Sequence, residues 1–271
     1  MREAYQRAWA AFQVGRYDLC EVSVRDGLRD DPNDNDLIVL LGHVKLIIHD
    51  FNAARALGQD AIQRDPDDSR GFYILAWGTI SDPNYHPSDP KFQPQSSASA
   101  AAAKARIDTG RKLAQRCLEL DPTMASYHAL LAEIEFLSDQ TEAALDAANE
   151  GLRLDPTHDI STYARMRALA DLRRMDEAIE TGLARLRIEP EDAECHHRLA
   201  QLYLQQKDVA ASTRHARQAV RLDPTQSEHR QTYWDAIKAS NPLFRPFVYW
   251  QFIARRLAAL PEALKVFAVI A

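Results

Sequence analysis

Most of the chain consists of apolar and small residues mixed with Arg, Glu and Gln, and strand-like alternation of apolar and polar positions is scarce. This composition favours helix. The predicted helical runs end six times at nearly the same polar stop. The stops are GLRDDPND (27–34), AIQRDPDD (61–68), CLELDPTM (117–124), GLRLDPTH (151–158), LRIEPEDA (186–193) and VRLDPTQS (220–227). Because proline cannot continue the preceding helix, each stop predicts a turn between two helical elements.

The prolines of these stops are evenly spaced along the chain. They are Pro32, Pro66, Pro122, Pro156, Pro190 and Pro224. Neighbouring prolines are 34 residues apart, and the gap of 56 residues after Pro66 equals one period with an insertion of 22 residues. A period of 34 is typical of a helix–turn–helix unit that stacks into a solenoid. The threonines that follow three of the prolines, Thr123, Thr157 and Thr225, are expected to help cap the next helix.

Small side chains recur at fixed distances before the prolines, where two helix backbones must approach closely. The positions are Ala8, Gly42, Ala76, Ala132 and Ala200; Cys20, Ala54, Gly110, Ala144, Ala178 and Ser212; and Gly27, Ala61, Cys117, Gly151 and Ala219. Met166 and Arg185 depart from this pattern, so the fifth repeat is expected to be the least regular. Cys20 and Cys117 stand at small-residue positions, which indicates buried structural thiols and not redox groups.

The period, the small residues at the helix crossings and the closing proline together resemble the tetratricopeptide repeat (TPR) family. The resemblance covers six repeats over about residues 1–224. It implies an all-α fold, namely a right-handed α-solenoid of stacked antiparallel helix pairs. We expect a solenoid domain at 1–226 and a capping helix at 227–240, because Trp234 occupies a position where a second helix would need a small residue.

An insertion interrupts the third repeat at about 82–103. The stretch SDPNYHPSDPKFQPQSS (81–97) contains four prolines and predicts a loop. Strong helix formers follow, so the second helix of this repeat is expected to begin near Ser97 or Ser99. Two interpretations of the loop stay open: a solvated decoration, or a lid or docking element over a binding groove.

The C-terminal tail, residues 241–271, has a different character. Its aromatic residues are Phe244, Phe247, Tyr249, Trp250 and Phe252, and Arg255 and Arg256 follow them. The final apolar run, VFAVIA, is much shorter than the roughly 20 residues of a transmembrane helix. One interpretation is one or two extra helices packed on the end of the solenoid. The other is a juxtamembrane segment, aromatic and basic, that leads toward a membrane helix.

Charge, cysteines and motifs exclude several classes of function. The formal net charge is −6 and the pI is near 5.9, without the basic stripe that nucleic-acid binding requires. Three distant cysteines form no disulfide or metal pattern and favour a reducing compartment, so we expect a cytoplasmic location. The motifs HExxH, GxSxG and CxxC and a Gly-rich phosphate loop are all missing from the sequence. We therefore expect no enzymatic activity, no cofactor and no metal site.

In the TPR resemblance, the first helix of each repeat lines a concave groove. Matching positions assign partner-binding roles to Tyr5, Trp9, Phe12, His43, Arg70, Tyr73, Trp77, Phe136, Tyr163 and Arg167. Aromatic and arginine side chains are common energetic anchors of protein interfaces. For Trp9 and Trp77, packing between neighbouring repeats is the alternative role.

Two functions follow from these observations. The first is a non-catalytic scaffold whose groove binds a peptide or helix of a partner protein. The second is a membrane-tethered or self-assembling module that acts through its tail, at the cytoplasmic face of a membrane in the tethered case. The partner and the oligomeric state stay open.

Overall fold

The computed structural model describes residues 2–81, 97–244, 246–247 and 249–250. Within these ranges it contains thirteen α-helices of 12 or more residues. These ranges contain no strand, which confirms the predicted all-α fold class. The helices are α1 (Arg2–Gln13), α2 (Tyr17–Asp30), α3 (Asn35–Ile47), α4 (Phe51–Arg64), α5 (Ser69–Ile80), α6 (Ser97–Leu120), α7 (Ala125–Leu137), α8 (Thr141–Leu154), α9 (Asp159–Asp171), α10 (Met175–Ile188), α11 (Ala193–Gln205), α12 (Val209–Leu222) and α13 (Ser227–Ser240).

Five pairs of consecutive helices pack together, namely α1–α2, α3–α4, α5–α6, α9–α10 and α11–α12. Each of the six prolines follows an even-numbered helix, from α2 to α12. By their contacts they form two compact units. Unit 1 contains α1 to α7 and ends at Ser138, and unit 2 contains α8 to α13 and begins at Asp139. The boundary lies in the turn between α7 and α8, within the range predicted as one solenoid domain (1–226).

The turns between pairs are held by aspartates. Asp121 accepts hydrogen bonds from both the backbone N–H (3.0 Å) and the hydroxyl (2.6 Å) of Thr123, and Asp155 and Asp223 bind Thr157 and Thr225 in the same way. The prediction that these threonines cap the next helix is therefore wrong, because their hydroxyls donate backward to the preceding carboxylate. These bonds lower the pKa of Asp121, Asp155 and Asp223.

Small residues at the helix crossings are buried, as the sequence predicts. Cys20, Ala54, Cys117 and Ala200 are fully buried. The fifth repeat shows how a departure from the pattern is accommodated. Met166 fills its crossing at 1% exposure, and Gly182 on α10 leaves the room, since a Cβ there would lie 2.6 Å from the Met166 Cε.

The turns within pairs place one residue in the left-handed region. It is Gly15 in the first repeat (φ 72°), and His49 (60°), Asp139 (58°), Arg173 (65°) and Lys207 (68°) stand at the same register in later repeats. Non-glycine residues pay a steric cost in this region. A glycine is therefore suited to this position, and only the first of these five repeats has one.

Helix α6 begins at Ser97, as predicted, and has 24 residues where α4 has 14. It takes in 97–103 of the predicted insertion. The other part of that insertion (82–96) and the tail from 251 to 271 lie outside the described residues, together with the predictions made for them. Helix α13 ends at Ser240, and Trp234 on it is 57% exposed. Among the described helices, none combines the length and the apolarity that crossing a membrane requires.

Candidate functional site: an aromatic face in unit 1

The first helices of the pairs in unit 1 form a row. Helix α3 contacts both α1 and α5, and α5 also contacts α7, whereas no contact of this extent joins α2 to α4 or α4 to α6 within the described residues. In a curved stack the helices on the inner side approach each other more closely. Residues on α1, α3, α5 and α7 therefore include those that line the inner side of unit 1.

Helix α1 carries three aromatic rings on one side. The rings of Tyr5 and Trp9 stack with centroids 6.3 Å apart, and those of Trp9 and Phe12 with centroids 5.5 Å apart. Tyr5 and Phe12 pack against the buried cluster that contains Val24 and Leu37, while Trp9 stays 41% exposed. The helical spacing of four and three residues brings these rings together.

A second aromatic group joins α3, α5 and α7. The ring of Tyr73 lies 5.8 Å from His43, 6.4 Å from Trp77 and 5.5 Å from Tyr127. The Nδ1–H of His43 donates to the Val39 carbonyl at 3.0 Å, and burial lowers the pKa of this imidazole. His43 is therefore neutral at pH 7 and presents a flat ring to Tyr73.

Trp77 has a mixed role. It is half-buried and packs against a cluster that includes Leu130 and Ile134 of α7, so it contributes to the contact between repeats. Its indole Nε1 is buried and has no acceptor in the described part of the chain. We call Tyr5, Trp9, Phe12, His43, Tyr73 and Trp77 the unit 1 aromatic face.

Arg70, at the start of α5, is held by two carboxylates. Its Nη2 lies 2.7 Å from an oxygen of Asp36 and 2.8 Å from one of Asp68, and its Nε donates to Asp68 at 2.9 Å. Asp68 also caps α5 and accepts from the Asn35 side chain at 3.0 Å. Burial opposes ionisation of Asp68, but the Arg70 hydrogen bonds outweigh it and lower its pKa. The guanidinium is therefore already paired, and Asp36 is the more exposed of its two carboxylate partners.

Two of the ten predicted binding residues, Tyr163 and Arg167, belong to unit 2, on α9. The Tyr163 hydroxyl donates to Asp192 at 2.7 Å, and the Arg198 guanidinium lies 4.9 Å from the Tyr163 ring centroid. Asp192 caps α11 and accepts from the Nε of Arg185 at 2.8 Å. This network joins α9, α10 and α11. It explains the departure of Arg185 from the small-residue pattern and gives Tyr163 a structural role.

The remaining eight predicted residues are in unit 1. Seven of them are the unit 1 aromatic face and Arg70, and Phe136 lies near the end of α7. Sequence reasoning missed Tyr127, which stands at the same register as the buried Leu37 and Cys195 and so carried only a core signal. It also missed Asp68, whose place in a turn sequence indicated a helix cap and not an arginine partner.

Unit 2 contains two histidine pairs. The Nδ1 atoms of His196 and His215 are 2.9 Å apart, and the rings of His197 and His229 have centroids 5.0 Å apart. Since His196 Nε2–H donates to the Pro190 carbonyl at 3.2 Å, the His196 Nδ1 accepts a hydrogen bond from the Nδ1–H of His215 when both rings are neutral. Burial lowers the pKa of His197 and of His215 to about 4. In the described ranges, no three His, Cys, Asp or Glu side chains are grouped so as to hold a metal ion.

Comparison with known proteins bears on the fold. Residues 193–226, which contain the α11–α12 pair, match the family model described as tetratricopeptide repeat. A search of curated proteins finds no relative that matches the chain.

Solved structures with the same fold include TTC0263, a thermophilic TPR protein of Thermus thermophilus (TM-score 0.64, 19% identity, covering 75% of this chain and 98% of that one). PilW, described as a widely conserved type IV pilus biogenesis factor, is also similar (TM-score 0.63, 13% identity, 85% and 96%). Pseudomonas aeruginosa pilF gives a TM-score of 0.58 at 15% identity over 85% and 95%. The family match assigns residues 193–226 to the tetratricopeptide repeat family, and over three quarters of the chain or more the fold is shared with these solved structures.

Proposed function

We propose that the chain is a non-catalytic interaction scaffold and that the unit 1 aromatic face binds a peptide or a helix of a partner protein. The TPR fold supports a role in protein–protein interaction. The observation that carries the finer proposal is the row of rings on α1, α3 and α5 with Arg70 at one end.

The chemistry of the face describes its ligand. The exposed edge of Trp9 and the ring of Tyr73 offer contacts to apolar or aromatic side chains of a partner. At the N-terminal ends of α3 and α5, Arg70 offers a bidentate site to a carboxylate that displaces Asp36. A segment with an acidic group followed within one or two helical turns by apolar residues fits this arrangement.

The test is recovery of a partner from the native host by the immobilised chain. The face variant Trp9→Ala plus Arg70→Glu is compared with the control Val22→Ser plus Arg25→Glu on α2. Val22 is 51% exposed, and Arg25 is exposed and forms no ion pair within the described residues. Both variants must show the wild-type circular dichroism spectrum.

We expect the face variant to weaken binding by about 30-fold or more, because loss of a hot-spot residue costs about 2 kcal/mol or more. The control variant should bind like the wild type. Equal recovery by all three proteins would contradict binding at this face.

A second candidate function uses the end of unit 2, where several large apolar side chains are exposed. They are Trp234 (57%), Leu243 (80%), Phe244 (49%), Phe247 (57%) and Trp250 (58%). Clustered exposed apolar residues mark interaction or membrane surfaces. We propose that this segment attaches the chain to a membrane or to a second copy. Light scattering over a range of concentrations distinguishes the two, since only self-association raises the mass.

A further inference from the structure

A groove of about 660 Å³ lies at the end of unit 2, beside the start of the aromatic segment. Lys207, Arg214 and Arg217 line it. Arg214 and Arg217 are exposed, and neither forms an ion pair within the described residues. The groove also contains Asp208, but its carboxylate caps α12 by accepting from the Ala211 N–H at 2.9 Å. The groove is therefore locally basic on a chain whose net charge is −6.

The groove and the exposed aromatic residues are continuous. Ser240, the last residue of α13, lines the groove, and the chain passes from it directly to Leu243 and Phe247. The Lys207 ammonium lies 5.7 Å from the centroid of the Tyr249 ring. Cations and exposed apolar side chains thus occupy one end of unit 2.

A surface with this composition fits one kind of partner best. An anionic lipid bilayer offers phosphates to the cations and, next to them, an apolar boundary in which aromatic rings are stable. A second copy docked through the same end would bring the cations of both copies together, because among the described residues Asp208 is the one carboxylate that lines the groove and it already caps α12. We propose that the end of unit 2 docks on the surface of an anionic bilayer, with Lys207, Arg214 and Arg217 at the headgroups and Phe247 and Trp250 at the apolar boundary. This proposal rests on the second candidate function and names its lipid class.

The experiment is co-sedimentation of the full chain with phosphatidylcholine vesicles, with and without phosphatidylglycerol, at low and high salt. The charge variant is Arg214→Glu plus Arg217→Glu, and the apolar variant is Phe247→Ser plus Trp250→Ser. The matched control is Arg187→Glu plus Ile188→Ser at the end of α10. Arg187 is exposed and forms no ion pair in the described ranges, and Ile188 is 57% exposed.

We expect binding to vesicles with phosphatidylglycerol at low salt, and weaker binding at high salt because exposed charges are screened. The charge variant should lose at least tenfold in vesicle affinity, since each cation near an anionic surface contributes about fivefold. The apolar variant should also lose binding, and the control should retain it.

Three results would overturn the proposal. Equal binding to both vesicle types would remove the preference for anionic lipid while leaving membrane attachment intact. Wild-type affinity in the charge variant would remove the role of the groove. The third result is no vesicle binding, together with a light-scattering mass that rises with protein concentration in the wild type and is lower in the apolar variant. This result would exclude membrane attachment and assign the surface to contact with a second copy.

Discussion

Met166 places a large side chain at a helix crossing, and the missing side chain of Gly182 leaves room for it. We therefore predict that the two positions are energetically coupled. Gly182→Ala places a Cβ 2.6 Å from the Met166 Cε and 2.8 Å from the Leu199 Cδ2, about 1 Å inside the optimal carbon–carbon separation. Overpacking of this kind costs about 1–3 kcal/mol, and the higher helix propensity of alanine returns about 1 kcal/mol. The net destabilisation by Gly182→Ala alone is therefore about 0–2 kcal/mol.

Met166→Ala removes a side chain that is 1% exposed, and such truncations cost about 2–5 kcal/mol. In the double variant the new methyl group meets no Met166, and Leu199 can move into the space that the longer side chain leaves. The helix-propensity gain remains while most of the clash is lost. The double variant should therefore be more stable than the sum of the single variants predicts, by at least about 1 kcal/mol.

Urea unfolding followed by circular dichroism measures all four proteins of this cycle. Because repeat arrays can unfold in more than one step, the comparison requires equal slopes of free energy against urea. Val24→Ala, in the buried cluster of unit 1, replaces Met166→Ala in a control cycle and should add to Gly182→Ala within about 0.5 kcal/mol. Additivity in the Met166–Gly182 cycle as well would refute the packing argument.

Three further predictions concern the turns, the histidines and the thiols. Arg173→Gly should raise the free energy of unfolding by about 0.5–1 kcal/mol and Gly15→Ala should lower it, since both residues have positive φ; thermal unfolding checks both signs. Burial lowers the pKa of His197 to about 4, so between about pH 6.5 and 4 this histidine is protonated in the unfolded chain but neutral in the folded one. The free energy of unfolding should therefore fall as the pH drops through this range. His197→Gln should flatten this dependence in urea titrations across the same range. The three cysteines are fully buried, and burial raises the pKa of each thiol, so a thiol reagent should label them only after urea is added; rapid labelling of the native chain would contradict their packing role.

The helices and the turns between them could be predicted from the sequence because most repeats encode the same local signals. The proline after each second helix and the small residues at the crossings depend on neighbours within one period, so spacing alone reveals them. The start of α6 at Ser97 was accessible for the same reason, since loop-forming residues give way there to helix formers.

The details that spacing could not predict depend on which repeats touch. The carboxylates that hold Arg70 come from two different repeats, and the pairing of Tyr163 with Asp192 spans two more. The compensation of Met166 by Gly182 involves two positions that each look like an isolated exception in the sequence. Likewise, the basic groove at Lys207 arises only when α12 and the end of α13 are packed together.

Site-specific photo-crosslinking shows directly whether the unit 1 aromatic face contacts a partner protein. A photoreactive phenylalanine analogue replaces Trp9 on α1 in one protein and Val22 on α2 in another, since both side chains are exposed on different helices of the same repeat. We expect illumination with the captured partner to give a covalent product from position 9 and little from position 22. A product from position 22 with none from position 9 would contradict this expectation.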